Sequence, residues 1–256
     1  MSNKLNLLLK QWPKNTVATQ QFLSGLGISR QLANWHVGSG WLERLGPRAF
    51  IRPGDEVKWT GAVYAMQTQL NLSVHVGGCS ALEAQGLGHF IPLGKNPTVC
   101  LVSDKPERLP GWFVNRKWNA DVHHHCRSIF RSVDDNDTAS MDCGSFQIAV
   151  SAPERAMLET IDMFGNNDDA DQAFTLMRGL TTLRPAVVQR LLEECRSVKV
   201  KRFFLWSAET LKHAWFSHIN LTHVDLGKGK RSLYAGGRYN QKYMITTPQP
   251  ERLPDV

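Results

Sequence analysis

The sequence has few cysteines, and none of them belongs to a CxxC pair. Its 256 residues include only five, an odd number scattered along the chain: Cys79, Cys100, Cys126, Cys143 and Cys195. Short, regular cysteine spacings are typical of structural zinc sites, and an even set in a short secreted chain is typical of a disulfide framework. The sequence therefore predicts neither, and we expect reduced thiols. Nothing in it predicts a cofactor or a metal.

Long hydrophobic runs are also missing. No segment approaches the roughly 20 apolar residues that a helix needs to span a bilayer. The first residues, MSNKLNLLLKQW, lack the layout of a signal peptide because their apolar run is short and no small-residue cleavage site follows. We therefore expect a cytoplasmic protein. Hydrophobic residues still make up 42% of the chain, enough for two domains that each have a core.

Acidic residues are scarce at the start of the chain. Among the first 60 residues, eight lysines and arginines stand against three acids, a local excess of five positive charges. The centre, from Asp134 to Asp171, is acidic, and the chain is basic again from Lys199 onward, with a net charge of +7 overall. Basic ends on either side of an acidic centre indicate a polyanionic partner.

The segment 16–52, TVATQQFLSGLGISRQLANWHVGSGWLERLGPRAFIR, is the most informative. It contains two short helical patterns around a glycine turn, followed by an apolar hairpin with arginines. Asn15 or Thr16 is expected to cap the first of these helices, and Ser29 the second. This order of elements predicts a winged helix-turn-helix, whose second helix fits the DNA major groove and whose hairpin lies near the flanking backbone.

The second helical pattern predicts a recognition helix. Ile28, Leu32 and either Trp35 or His36 are expected to pack inward, which leaves the polar side chains of the first turns exposed. Arginine can donate two hydrogen bonds to guanine, and asparagine or glutamine can pair with adenine. A serine at the helix start can contact phosphate together with the free amides of the first turn. The predicted DNA-contacting residues are Ser29, Arg30, Gln31, Asn34, Arg44, Arg48 and Arg52.

The remainder of the chain mixes helices and strands without βαβ regularity, so the predicted fold class is α+β. We expect a winged helix-turn-helix domain over residues 1–55 and a larger α+β domain over residues 56–256. In the larger domain, Trp112–Val114 and His123–Phe130 are predicted as strands, Asp134–Ser140 as a polar loop, and Pro153–Phe164 as a helix with proline in its first turn.

Three other features could suggest chemistry. His123, His124, His125 and Cys126 are consecutive, but no second ligand pair follows at a zinc-like spacing, so a half-exposed polar strand is favoured over a metal site. The segment Gly227–Arg231 lacks the P-loop frame. Its basic residues, with a later arginine, are possible further nucleic-acid contacts: Lys228, Lys230, Arg231 and Arg238. The central acids accompany no recognisable nucleophile, so an enzyme is not expected.

Several segments resemble the AbiEi-type antitoxin and transcriptional regulator family. They are GISRQLANW, SGWLERLGPRAFIRPGD, VHVGGCSALEAQGLGHFIPLG, SAPERAMLETI and GKGKRSLYAGGRYNQKYMITTP. Together they extend over nearly the whole chain. Within the hairpin, the sequence departs from the family pattern at Pro47 and Ala49, where a small, glycine-containing tip is usual.

The resemblance implies a bacterial, nucleoid-associated repressor of a toxin–antitoxin operon that takes part in abortive infection. Its partners would be double-stranded operator DNA with inverted repeats, bound by two copies, and a nucleotidyltransferase-like toxin that it antagonises without a stable complex. The C-terminal domain would supply the antitoxin activity. An alternative from a different class is a protein-interaction module that inhibits a partner enzyme by direct contact and does not bind DNA.

Overall fold

A computed structural model describes residues 2–88, 97–126 and 128–249, with the side chains of residues 2–5 left out. The fold class is α+β, as predicted. The helices are α1 Ser2–Gln11, α2 Gln20–Gly25, α3 Arg30–Gly38, α4 Trp59–Thr68, α5 Gly78–Ala84, α6 Gly111–Val114, α7 Pro153–Met163, α8 Asn167–Gly179, α9 Pro185–Glu194 and α10 Val198–Thr210.

The strands are short. They are β1 Ala18–Thr19, β2 Glu43–Gly46, β3 Ala49–Ile51, β4 His75–Val76, β5 Thr98–Val102, β6 Asp121–His125, β7 Thr138–Asp142, β8 Gln147–Ser151, β9 Arg231–Ser232, β10 Arg238–Asn240 and β11 Ile245–Thr247. They form three sheets, in the orders β1-β3-β2, β6-β5-β4-β8-β7 and β10-β11-β9.

The described chain divides into two compact units. The first comprises residues 2–75, 97–126 and 140–149, and the second comprises residues 76–88, 128–139 and 150–249. The division along the chain falls inside strands β4, β7 and β8. The boundary that the sequence suggested between residues 55 and 56 stays a prediction.

In the first unit, helices α1 to α3 and the small sheet share one apolar core. Its buried members include Leu8, Trp12, Leu23, Ile28 and Phe50. The sheet is antiparallel, and β3 is its central strand. Phe50 of β3 lies opposite Ala18 of β1 on one side and opposite Arg44 of β2 on the other. This core is made by side chains from all three helices and the hairpin, so burial of apolar surface holds the hairpin against the helices.

In the second unit, α10 is the central helix. Every residue from Val200 to Ala208 is buried, and the rings of Phe203 and Phe174 lie 5.4 and 5.2 Å from the ring of Trp206. Helices α7 to α9 are amphipathic, and α7 begins with Pro153 in its first turn, as predicted. No helix within the described residues has the length and apolar character that crossing a membrane requires.

Three predicted elements differ from the structure. The segment predicted as a strand at Trp112–Val114 is the single helical turn α6, because Pro110 and Gly111 start a turn and so short an apolar run has no periodicity to distinguish strand from helix. The predicted loop Asp134–Ser140 holds a 3-10 turn and the start of β7, whose half-exposed residues give no apolar alternation. The strand predicted to Phe130 ends at His125, and Arg127 lies outside the described residues.

Candidate nucleic-acid interface

The turn between α2 and α3 is set by local hydrogen bonds. Thr19 caps α2, since its Oγ1 accepts a hydrogen bond from the Phe22 amide at 3.2 Å. The predicted cap at Asn15 or Thr16 is wrong, because the chain first pairs with β3 as strand β1 and the helix starts later. Gly27 has a φ of +75°, a conformation that glycine adopts without steric cost.

Helix α3 presents a polar face to solvent. The Ser29 Oγ accepts a hydrogen bond from the Leu32 amide at 3.2 Å, so Ser29 caps the helix as predicted. Ala33 and His36 are buried, and burial lowers the pKa of His36 below its ordinary value, which keeps the ring neutral within the core. The opposite face is exposed: Arg30, Gln31 and Asn34.

A groove of about 290 Å³ lies between α3 and the hairpin β2–β3. Its lining includes Arg30, Asn34, Arg44 and Arg48, which are four of the seven residues predicted to contact DNA. Among the described residues that line it, three are arginines and none is a carboxylate. Arginines without neighbouring acids give a local positive potential, which attracts anionic backbones.

Asn34 and Arg44 connect the helix to the hairpin. The Arg44 guanidinium donates a hydrogen bond to the Asn34 Oδ1 at 2.6 Å and lies 5.4 Å from the centre of the Phe50 ring. An asparagine that pairs with adenine accepts through Oδ1 and donates through Nδ2. Because Arg44 occupies one lone pair of Oδ1, Asn34 is oriented by the hairpin and has one lone pair and its amide hydrogens left for another partner.

Arg48 stands at the tip of the hairpin, directly after Pro47. Its side chain is exposed, and its carbonyl accepts a hydrogen bond from the Gln20 amide at 2.9 Å. The backbone of Arg48 has a φ of +62°, a left-handed conformation that L-residues other than Asn, Asp and Gly adopt at a cost of about 1–2 kcal/mol. A long basic side chain therefore occupies a turn position where glycine would be the less strained choice.

The remaining three predicted contacts lie apart from the lining of this groove. Ser29 and Gln31 are exposed near the start of α3. Arg52 instead bonds within the fold: its guanidinium donates to the carbonyl oxygens of Leu9, at 3.2 Å, and of Trp12, and lies 4.9 Å from the centre of the Trp12 ring. Arg52 thus caps the C-terminal end of α1, and the structure does not bring it to the groove.

Two tryptophans in this part of the chain are more than half exposed. Trp35 is 56% exposed and Trp41 is 53% exposed. The sequence left Trp35 and His36 as alternatives for the inward position, and His36 is the one that lies inward. A helical wheel could have decided this, because Trp35 lies on the opposite side of α3 from Ala33, at 100° per residue. We add Trp35 to the exposed side chains of the candidate interface.

The C-terminal basic residues surround a buried arginine. Arg202 is fully buried and donates hydrogen bonds to the carbonyl oxygens of Leu226, Gly227, Gly229 and Met244, at 2.7–3.2 Å. This holds the loop after Leu226 in place, with its basic side chains outward. The exposed residues are Lys228, Lys230, Arg231 and Arg238. Arg202 was not singled out from the sequence, because no pattern there identifies a cation that bonds to carbonyls.

The histidine run does not form a metal-binding group in the structure. His123 lies 3.2 Å from a carboxylate oxygen of Asp121, and the His124 Nε2 lies 2.9 Å from the Ser103 Oγ. Among the described residues, no three His, Cys, Asp or Glu side chains are close enough to hold one metal ion.

Comparison with known proteins defines the class. Residues 1–93 match the family described as "Transcriptional regulator, AbiEi antitoxin N-terminal domain". Residues 96–248 match the family described as "Transcriptional regulator, AbiEi antitoxin, Type IV TA system". The chain therefore belongs to the AbiEi antitoxin family of transcriptional regulators in type IV toxin–antitoxin systems, as its sequence motifs indicated.

One solved structure supports the fold alone. The RV2827C protein from Mycobacterium tuberculosis, known from a crystal structure, superposes with a TM-score of 0.56 over 96% of this chain and 90% of its own. The two sequences are 14% identical. Among curated protein sequences, none matches this chain significantly.

Proposed function

We propose that this protein is a sequence-specific DNA-binding repressor that uses α3 and the β2–β3 hairpin as a winged helix-turn-helix. The groove supports this most directly. It places Arg30, Asn34, Arg44 and Arg48 around one surface whose described lining has no acid. An α-helix fits the major groove, where arginine and asparagine recognise base edges, while cations on a hairpin bind the phosphate backbone.

The side chains divide between the two kinds of contact. Arg30 and Gln31, exposed in the first turn of α3, contact base edges, and Ser29 with the free amides of that turn binds a phosphate. Arg48, at the hairpin tip, contacts the flanking backbone or the minor groove. Asn34 contacts one base from the position in which Arg44 holds it.

The proposal extends to the biological role. The protein binds inverted repeats as two copies and represses its own toxin–antitoxin operon. The second part of the chain, residues 56–256, antagonises a nucleotidyltransferase-like toxin without a stable complex, and its exposed C-terminal cations make further nucleic-acid contacts. Family membership supports the regulator and antitoxin roles.

A salt series tests the proposal. The full chain is titrated into a duplex containing the DNA upstream of its own gene, and into a scrambled duplex, in gel shifts from about 50 to 200 mM salt. We expect tighter binding to the upstream duplex and an affinity that falls steeply with salt, since each phosphate contact releases counterions. No shift of either duplex at the lowest salt would contradict the proposal.

Point variants assign the contacts. Arg48→Ala is expected to weaken binding to both duplexes alike and to reduce the salt slope by about one. Asn34→Ala is expected to relax the preference at one base pair, at about 1–3 kcal/mol. Lys105→Ala, an exposed lysine outside the groove, is the control. Identical behaviour of the Arg48 and Asn34 variants on both duplexes would contradict these assignments.

A second candidate function has one observation in its favour. Trp35 and Trp41 are more than half exposed, and exposed tryptophans are enriched where proteins bind each other. A module that inhibits a partner enzyme by contact would use them. Under this alternative, the wild-type protein shifts no DNA but neutralises the toxin. Trp35→Ala would abolish that neutralisation.

A further inference from the structure

A second cavity in the first unit shares no lining residue with the groove beside α3. It has a volume of about 930 Å³, which is within the 300–1,000 Å³ typical of small-molecule sites. Its walls are the segment that follows Glu107, helix α6 with the residues after it, and one face of β6. None of its described residues belongs to the candidate DNA contacts, so a ligand in this cavity would not occupy any of those side chains.

The walls of this cavity are held in place by hydrogen bonds. Both carboxylate oxygens of Glu107 accept from the Ser73 amide, at 2.9 and 3.0 Å. The Cys126 Sγ accepts from the Glu107 amide at 2.9 Å and donates to the Lys105 carbonyl at 3.1 Å. On the other side, the Trp118 indole N–H donates to the Phe113 carbonyl at 2.9 Å. A cavity with walls fixed before binding loses little entropy when a ligand enters.

The cavity contains free cations. Arg108 and Lys117 line it, are exposed, and form no hydrogen bond or ion pair through their side chains with the part of the chain that the structure describes. The acids of the lining are already engaged, since Glu107 bonds to Ser73 and Asp121 lies 3.2 Å from the His123 ring nitrogen. Arg108 and Lys117 are therefore the charged groups of the lining that are left for a ligand, and both arginine and lysine bind phosphate.

The cavity also offers a planar platform. Trp118 is buried against Phe113, with ring centres 5.3 Å apart, and the Arg116 guanidinium lies 5.3 Å from the centre of the Trp118 ring. A guanidinium plane over an aromatic ring is a surface on which a nucleobase stacks. Half-buried His124 contributes a polar group, because one of its ring nitrogens bonds to the Ser103 Oγ at 2.9 Å and the other is left for a ligand.

We propose that this cavity binds a nucleotide, with the base stacked on the Arg116 guanidinium that Trp118 supports, and the phosphates bound by Arg108 and Lys117. The combination of a flat cationic platform with two separate unpaired cations matches a molecule that has both a base and phosphates. Inorganic phosphate or a nucleoside alone would use only half of the site.

Isothermal titration calorimetry on the full chain tests this. ATP, GTP, CTP and UTP are titrated separately, with the four matching nucleosides and tripolyphosphate as the two halves of the ligand. We expect at least one nucleotide to bind about tenfold or more tightly than either tripolyphosphate or its nucleoside. Tripolyphosphate binding as tightly as every nucleotide would overturn the proposal, and so would no heat from any of the four nucleotides at about 1 mM.

Variants locate the site. Lys117→Met is expected to weaken the nucleotide and tripolyphosphate by about tenfold each. Arg116→Ala is expected to weaken the nucleotide by about tenfold and to change tripolyphosphate binding much less. Lys105→Ala, whose lysine does not line the cavity, should bind both the nucleotide and tripolyphosphate as wild type does. Loss in Lys105→Ala equal to that in the cavity variants, or no loss in Lys117→Met and Arg116→Ala, would overturn the assignment.

The result is independent of DNA binding. The same Lys117→Met and Arg116→Ala proteins are expected to shift the upstream duplex as wild type does. A protein that binds nucleotide but no duplex would overturn the repressor proposal and leave this one standing, and the reverse holds for a protein that shifts the duplex but binds no nucleotide.

Discussion

Two sets of arginines, one in each unit, are used in opposite ways. Around the candidate interface, Arg30 and Arg48 are exposed and pair with no carboxylate among the described residues. In the second unit, three arginines bond to buried acids: Arg155 to Glu159, Arg184 to Glu154 and Arg190 to Asp137. The formal charge is the same in both cases, but only the exposed, unpaired arginines are available to a polyanion.

The acids differ accordingly. The sequence places Asp137 and Glu154 in a polar loop and at a helix start, where carboxylates are ordinarily solvated. In the structure they are 0% and 2% exposed, so each must be neutralised by its arginine to be buried at all. The acidic centre of the chain is thus partly internal to the second unit, and it lowers the outward charge less than its composition suggests.

The largest effect is expected from breaking one of the buried pairs. Burial by itself would raise the pKa of Glu154, but the hydrogen bonds from Arg184 outweigh it, so the pKa lies below its ordinary value of 4.5. Glu154→Gln is expected to lower the free energy of unfolding by about 1.5–3 kcal/mol at pH 7, the contribution of a charged hydrogen bond. Urea denaturation of both proteins measures it.

The pH dependence gives that prediction a sign. A carboxylate whose pKa is lowered in the folded state stabilises the folded protein fully at pH values above its unfolded pKa of 4.5. This stabilisation is lost as the pH falls through the pKa of the folded state. The difference between wild type and Glu154→Gln should therefore shrink below about pH 4. A constant difference from pH 7 to pH 3 would contradict the assignment, and Glu209→Gln, in an exposed pair with Lys242, is the control.

Arg52 sharpens the comparison because it lies in the basic N-terminal region but is bonded inside it. Arg52→Met retains the apolar stem and removes the hydrogen bonds to the end of α1, so we expect a loss of about 1–2 kcal/mol in unfolding free energy. The salt slope of DNA binding should not change. A slope reduced by about one would instead place Arg52 on a phosphate, as the sequence predicted.

Arg48 is expected to give the smallest change in stability, and of the opposite sign. Arg48→Gly relieves the left-handed backbone at φ +62°, which should stabilise the protein by about 0.5–1 kcal/mol. The same change removes a phosphate contact and should weaken binding to every duplex. Arg48→Lys keeps both the positive charge and the strained backbone. It should therefore match wild type in DNA affinity and in unfolding free energy. Thermal unfolding and gel shifts on the three proteins measure both effects, and weaker stability in Arg48→Gly would contradict the strain argument.

Much of the N-terminal region could be predicted because its signals are local. The Ser29 cap, the glycine turn and the hairpin around Pro47 each depend on neighbours within a few residues, and the structure has them in the predicted order. The prediction failed where pairing is not local. Thr19, rather than Asn15 or Thr16, caps α2 because Ala18 and Thr19 first pair with a strand some 30 residues later.

The sequence by itself determined the α+β class, the family, the exposed polar face of α3 and the excess of positive charge at the start of the chain, because these follow from periodicity, capping residues and composition. Only the tertiary structure decided which charges stay free: Arg52 bonds to carbonyls of α1, Arg44 orients Asn34, and Arg202 is buried among carbonyl oxygens. Such partners are brought together by packing, and a side chain's availability depends on what surrounds it in space and not on its neighbours in the chain.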